Sequence, residues 1–441
     1  MKILFILPEY YPHSGGGIST YYQQYIRALQ PYCDEIKVIV GSGYVQSKDI
    51  FDHEGVIVEY LKPELYNYYL DKFTLYDLLP DFKRDLASAW AIWHQANQAN
   101  GFDVVECTDF SLGFIPWVIN HTKPVVTRLH GSTGQISLHE LSLPADLTTT
   151  FYQQAELTLL PKCDLLISHS AANAEFWNQL IDNNKVIVSY PVYEHNNQPL
   201  PLPDREDHGL VTARIQRWKG PVTLCEVYNT LTIKPTIKWY GRDMLYTSQQ
   251  STSDYLKQQF PNVWGKYIIP HKDVTNTTIS RFQQKAKFGI VPSTWDMFNF
   301  SVLEFMAAGT PVICSDGAGA SELIEHRKNG FVYPAADQDA LAGCINTLNN
   351  MSAVDYESMC NAATETIKQK LAAKIIIPAN LLFYKDIICQ FVASPSNHYF
   401  DSLYKPAEQH YNIAAVLNKQ PLKKLTAYYI KRLKLKLLSK K

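Results

Sequence analysis

Residues 291–316 read VPSTWDMFNFSVLEFMAAGTPVICSD, a strand, a polar loop, a short helix and a second strand in one run. Val291 closes an apolar stretch, Asn299 is a capping residue type, Phe300 to Ala308 has helical apolar spacing, and Gly309 with Pro311 ends the helix. This places Asp296 in the loop and Glu304 in the helix after it. A loop at the carboxyl end of a strand, opening onto a helix N-terminus, is where open α/β sheets hold phosphorylated ligands. Two carboxylate acceptors beside that dipole suit a polyhydroxyl group attached to a phosphate.

Around this segment, short β-rich runs alternate with longer amphipathic ones. Strands are predicted at 2–8, 36–40, 56–61, 103–108, 124–130, 164–168 and 185–190, with helices over 18–29, 78–99, 145–160 and 171–181. That is a parallel, doubly wound sheet. Residues 191–203, rich in proline and asparagine, read as a linker. A second alternation follows, with strands at 210–215, 236–240, 263–269, 287–291, 311–315 and 330–333. At 441 residues the chain exceeds what one core usually serves, and two Rossmann-like halves across a cleft could hold a nucleotide-linked ligand and a second substrate.

Composition narrows the function classes. A net charge of −1 gives no general polyanion-binding signal, so nucleic acid is not expected as a partner. The eight cysteines are scattered singly, without metal-ligand spacing, and read as core thiols of a reducing compartment. The opening MKILFILPEYYP has too short an apolar run for a signal peptide, and no stretch reaches the roughly 18 apolar residues of a membrane span. A cytoplasmic location follows as the expectation.

Four more constellations bear on the cleft. Ser14 to Thr20, SGGGIST, sets Gly16 and Gly17 at a helix start after the first strand, where backbone can approach a ligand closely. In TARIQRWKG, residues 212–220, Arg214 and Lys219 follow the first strand of the second half and could neutralise a leaving diphosphate without a metal. VVTRLHG puts His130 and Gly131 at a strand's carboxyl end. GAGASE, residues 317–322, imitates a dinucleotide fingerprint but has Glu322 at the third glycine position, so its amides and Glu322 border the nucleotide at most. Asp337 and Asp339 spell D-x-D, yet they open a helix, where acidic residues are ordinary.

Taken in this order, the motifs resemble the retaining GT-B glycosyltransferases of family 4, the group 1 glycosyl transferases. The resemblance spans roughly Met1 to Leu348 and is most specific from Gly209 to Pro334. That family carries Glu, seven residues, Glu, with Pro-Ser before and a small-residue run and Gly-x-Pro-Val after. Pro292, Ser293, Ala307, Ala308, Gly309, Pro311 and Val312 match, whereas Asp296 replaces the first Glu and Phe298-Asn299 replaces the usual Phe-Gly.

The resemblance implies a GT-B fold, an α/β architecture of two Rossmann-like domains facing across a cleft. Residues 1–195 would bind acceptor, 205–378 would bind the nucleotide sugar, and a segment near 379–392 would cross back. It implies retaining transfer of a hexosyl unit from a nucleotide-diphosphate sugar to a glycan or lipid-linked acceptor, in surface polysaccharide or glycolipid assembly. Arg214 and Lys219 match the cations on the donor diphosphate, and Glu304 the carboxylate on the ribose. His130 matches the histidine near the donor sugar, and Gly16 and Gly17 match the glycine loop. Asp296 would hydrogen-bond sugar hydroxyls, with the amides of Phe298, Asn299 and Phe300 on the phosphates. No metal or other cofactor is expected.

Rival readings are a noncatalytic nucleotide-sugar-binding paralogue, a nucleotide-sugar epimerase or phosphorylase of the same fold, and a dehydrogenase; the last lacks a glycine fingerprint. Finally, residues 419–441 hold nine Lys or Arg and no acid, with Leu422, Leu425, Tyr429, Leu433 and Leu437 spaced three or four apart. That pattern predicts a basic amphipathic helix suited to an anionic membrane surface.

Overall fold

The computed structural model describes all residues except 13–15, 141–145, 182–184, 195–197, 248, 397–398, 409–412 and 439–441. Parts of the glycine loop (Ser14, Gly15), of the linker and of the basic tail's end therefore lie outside the described residues. The first sheet comprises β1 (Lys2–Leu7), β2 (Glu35–Val40), β3 (Ile50–His53), β4 (Val56–Tyr60), β5 (Val104–Thr108), β6 (Val125–Leu129), β7 (Leu165–Ser168) and β8 (Val186–Val188). Its spatial order is β3-β4-β2-β1-β5-β6-β7-β8. All pairings are parallel except the β3/β4 hairpin.

The second sheet is built from β9 (Glu206–Thr212), β10 (Ile237–Tyr240), β13 (Ile268–His271), β14 (Ala286–Val291), β15 (Val312–Ser315) and β16 (Phe331–Tyr333). A separate two-stranded piece holds β11 (Leu245–Thr247) and β12 (Gln250–Ser251). The six strands run in the order β13-β10-β9-β14-β15-β16, all parallel. In each sheet the first strand lies between neighbours whose connections diverge, β1 between β2 and β5, and β9 between β10 and β14. Those switch points open crevices at the carboxyl ends of the strands. The buried runs ILFIL of β1 and VVECT of β5 have the two-sided apolar character that helices on both faces demand.

Several predicted elements shift. The hairpin strand β3 was not anticipated; its two-residue turn, Glu54-Gly55, has positive φ at both positions, 55° and 82°. The apolar run 263–269 is not one strand, because Gly265 at φ 84° makes a turn within it and β13 begins only at Ile268. The helix predicted over 78–99 runs Pro80–Gln95, started by Pro80 in the first helical turn. The crossover helix spans Ala373–Gln390, beginning ahead of Pro378, which lies inside it.

That helix is tied to the first sheet by a fully buried ion pair. Arg128 on β6 meets Glu106 on β5 through Nε to Oε1 at 2.8 Å and Nη2 to Oε2 at 3.2 Å. Tyr22 donates to Glu106 at 2.8 Å, Tyr384 of the crossover helix donates to its other oxygen, and Arg128 Nη2 donates to Asn380 Oδ1 at 3.2 Å. Replacing Arg128 by Met strands a buried carboxylate, and such losses cost about 3–5 kcal/mol. Chemical denaturation of Arg128→Met is expected to register a loss of that size, with Tyr384→Phe costing less.

Candidate functional site

Two loops of the second domain define the site. The loop after β9 carries Gln216–Gly220, and Gly220 ends it with φ 77°. A Cβ at Gly220 would stand 1.7 Å from the carbonyl oxygen of Pro292, so only glycine lets this loop lie against the one after β14. Thr294 N donates to Trp218 O at 2.9 Å and completes the contact. Lys219 and Asp296 thereby form an ion pair, both mostly buried, with the Lys219 ammonium 4.3 Å from the centre of the Trp218 ring.

Past Asp296 the chain turns through Phe298, fully buried, and Asn299, at φ 77° and ψ 93°. Asn299 caps the helix Phe300–Ala307, its Oδ1 accepting from Ser301 N at 3.1 Å, while its Nδ2 donates to Ser293 Oγ at 3.3 Å. Glu304, one turn on, accepts from Gln283 Nε2 at 2.7 Å, and burial raises its carboxyl. Gln283 also reaches Thr212 Oγ1 at 3.2 Å, which ties Glu304 to the carboxyl end of β9. Arg214 is exposed and forms no ion pair among the described residues. Thus Lys219, Asp296 and the capped helix end come together, whereas Arg214 is exposed and takes no part in these contacts.

The first domain supplies a different chemistry. His130, after β6, packs its ring against Tyr21 at 5.1 Å, Tyr22 at 5.5 Å and His169 at 4.8 Å. His169 follows β7 and contacts Phe298 at 5.7 Å and Phe300 at 6.2 Å across the cleft. The Nε2 atoms of both histidines and the Tyr21 hydroxyl are buried without a hydrogen-bond partner among the described residues. Burial first, then neighbouring His169 and Arg128, hold His130 far below its ordinary range; burial and Arg128 push His169 down to about 3. Both imidazoles are neutral at physiological pH.

The sequence reading found His130 but missed His169 and Tyr21. His169 follows a strand's carboxyl end as His130 does, and that shared position is the signal that could have found it. Asp109 and Glu156, also missed, set the loop that carries His130. Asp109 accepts from His130 N at 2.8 Å and Gly131 N at 3.1 Å, and Glu156 accepts from Ser132 Oγ at 2.7 Å and Gly134 N at 2.8 Å.

Gly16 begins the helix Gly17–Leu29 with the Glu9 carboxylate against it, and Gly17 lies near Phe300. Glu322, expected beside a nucleotide, accepts from Ala171 N of the first domain at 2.9 Å. Further contacts join the halves: His139 stacks on Trp295 at 4.0 Å, Gln216 donates to Glu140 at 2.6 Å, and Ser170 Oγ donates to Met297 O at 2.8 Å. All of them reach the loops that carry the site. Asp337 caps the helix Gln338–Asn349 through Ala340 N, and no described cluster has the make-up of a metal site.

Residues 208–350 match the family of group 1 glycosyl transferases. The matched stretch lies within the second domain. An uncharacterized glycosyltransferase of Methanocaldococcus jannaschii is 21% identical over 414 residues, 87% of this chain and 98% of the relative. Among solved structures, sucrose-phosphate synthase from Thermosynechococcus elongatus superposes with a TM-score of 0.68 at 16% identity, over 88% of this chain and 99% of that one. Anabaena HepE in complex with UDP-glucose follows at 0.63 and 18%, over 88% and 100%. The chain has the GT-B fold.

The acids behind His130 generate a pH dependence. Burial raises Asp109 from 3.8 to about 7 and Glu156 from 4.5 to about 8, so the folded protein holds protons that the unfolded chain releases. Their contribution to stability is whole below the unfolded values and is lost as pH rises toward 8. Melting temperatures of wild type and Glu156→Gln, followed from pH 5 to 8, are expected to fall less steeply in the variant.

Proposed function

We propose that this glycosyltransferase moves a hexosyl unit from a nucleotide-diphosphate sugar to a glycan or lipid-linked acceptor, with retention of anomeric configuration and without a metal. The observation that carries the reading is the Lys219–Asp296 pair beside the capped helix Phe300–Ala307, with Glu304 one turn below. The UDP-glucose bound by the Anabaena protein of the same fold supports a nucleotide sugar as donor.

In this reading the donor diphosphate draws Lys219 away from Asp296, which leaves the carboxylate to accept from sugar hydroxyls. Arg214, Lys219 and the amides of Phe298, Asn299 and Phe300 balance the charge that grows on the departing diphosphate. Glu304 accepts from the ribose hydroxyls, and Glu322 borders the nucleotide once its contact with Ala171 opens. His130, held neutral, hydrogen-bonds the sugar or acceptor from the other wall. The bond from anomeric carbon to phosphate oxygen breaks, the acceptor oxygen bonds that carbon on the same face, and its proton passes to the leaving phosphate. No protein nucleophile takes part. Surface polysaccharide or glycolipid assembly is the setting this chemistry serves.

Thermal stabilisation by UDP, GDP, ADP and their sugar conjugates, with chelator present, tests the donor and the metal independence together. One nucleotide family is expected to raise the melting temperature and to support transfer, with the product's anomeric configuration read by NMR. Glu304→Ala is expected to weaken donor binding about tenfold or more, by loss of charge-assisted hydrogen bonds. Lys219→Ala is expected to lower kcat about 10²- to 10³-fold. Unaltered kinetics in both variants, or a strict manganese requirement, would refute the assignment.

A further inference from the structure

The C-terminal helix Leu422–Leu438 buries none of its described residues against the rest of the protein. Leu422, Leu425, Tyr429, Leu433 and Leu437 share one side of it, with Ile430 and Arg432 at its margins and Lys436 within it, and Lys423, Lys424, Lys431 and Lys434 occupy the other beside Tyr428 and Leu435. Leu422 is 80% and Leu437 69% exposed. An apolar stripe of this length held in water is unfavourable unless something covers it.

Charge says what that is. The whole chain has a net charge of −1, so nine cations at 419–441 are segregated from a body that is net acidic. Two such tails repel each other, which disfavours tail-to-tail pairing. A nucleic acid would take the cations but leave the leucines and tyrosines uncovered. An anionic bilayer satisfies both faces, with the lysines at the headgroups and the stripe at the acyl boundary. The helix has 17 residues, about 25 Å, and six of them are basic, so it lies in the surface plane. No described helix is long and apolar enough to cross a membrane.

The body carries a second apolar patch where the tail departs. Ala407 N donates to Lys72 O at 3.1 Å, and Tyr76 OH donates to Leu403 O at 2.6 Å. Around that junction Leu75, Leu78, Phe400 and Leu403 are exposed, as is Tyr399 at 79%. All belong to the first domain or to residues 399–403, which are tied to it through Leu403 and Tyr404.

We propose that the helix Leu422–Leu438 and this patch dock the protein on an anionic lipid surface, holding the first domain against the membrane that carries its acceptor. The acceptor clause rests on the transfer reading above, whereas docking itself does not require it.

Flotation of the full chain with vesicles tests the proposal, without donor sugar. Binding is expected to vesicles of equal parts phosphatidylglycerol and phosphatidylcholine, absent with phosphatidylcholine alone, and weakened by salt. Each surface cation contributes about fivefold, so the triple variant K423Q/K431Q/K434Q is expected to bind about 100-fold more weakly. Leu433→Gln with Leu437→Gln, which keeps every charge, is expected to lose most binding, and Leu78→Gln with Phe400→Gln part of it. All three variants should keep the wild-type melting temperature and nucleotide-induced shift. Failure of the full chain to float, equal flotation of wild type and tail variants, or tail variants that change only the oligomeric state would overturn docking. Flotation without transfer from any donor would overturn the transfer reading and leave docking standing.

Discussion

The buried pair Glu106–Arg128 is the constraint on which the rest of the molecule turns. Removing two charges from water costs several kcal/mol per ion, and only good geometry with full hydrogen bonding offsets it. Here the partners come from four separate places: adjacent strands β5 and β6, Tyr22 of the first helix, and Tyr384 and Asn380 of the crossover helix. The Arg128 guanidinium also lies over the rings of Tyr25, at 4.7 Å, and Tyr21, at 5.2 Å. Arg128 Nη1 has no hydrogen-bond partner among the described residues, but a charge pair whose other bonds include Tyr384 and Asn380 of the last helix couples the ends of the chain. It makes the crossover a condition of the core rather than an ornament on it.

The same charge reaches the cleft. Arg128 lies two residues before His130, and it adds to desolvation in keeping His130 and His169 unprotonated. The two walls of the cleft therefore differ in kind. The second domain offers cations and helix-end amides, and the first offers neutral imidazoles and a phenol with unmet hydrogen-bonding capacity. An anionic group is attracted to one wall and is not drawn to the other. Under the proposed transfer, a ligand with a charged diphosphate at one end and hydroxyls at the other would be oriented by that asymmetry.

How much of this was legible in the sequence depended on whether the cause was local. The loop and helix around Asp296 and Glu304 are local: a strand end, a cap, a helical stripe and a Gly-x-Pro stop spell themselves out within 26 residues, 291–316. Asn299 is local too, since asparagine tolerates positive φ, and it takes 77° there. The placing of Lys219 against Asp296 was not readable, because it depends on Gly220 admitting the carbonyl of Pro292, 72 residues further along the chain and one position past the end of β14. The Glu106–Arg128 network was invisible for the same reason. A lone Arg in TRL and a lone Glu in VEC carry no mark of each other, and Tyr384 lies 278 positions from its acceptor. His169 fell between these cases, marked by its strand end but by no motif.

Closure of the halves follows from which loops make the contacts. His139 stacks on Trp295 and Gln216 holds Glu140, so the first domain grips the two loops that bring Lys219 and Asp296 together. Trp218, under the Lys219 ammonium, in turn lies 5.1 Å from Trp295. A displacement of the Trp295 loop is therefore felt at the ion pair through a chain of packed rings, and at Phe298 and Phe300 through His169. The two walls of the cleft are not independent surfaces that happen to meet. The Lys219–Asp296 pair is packed on Trp218 and Trp295 of its own domain, and His139 of the opposite domain holds Trp295 in place, so the geometry of the pair depends on the halves being in contact.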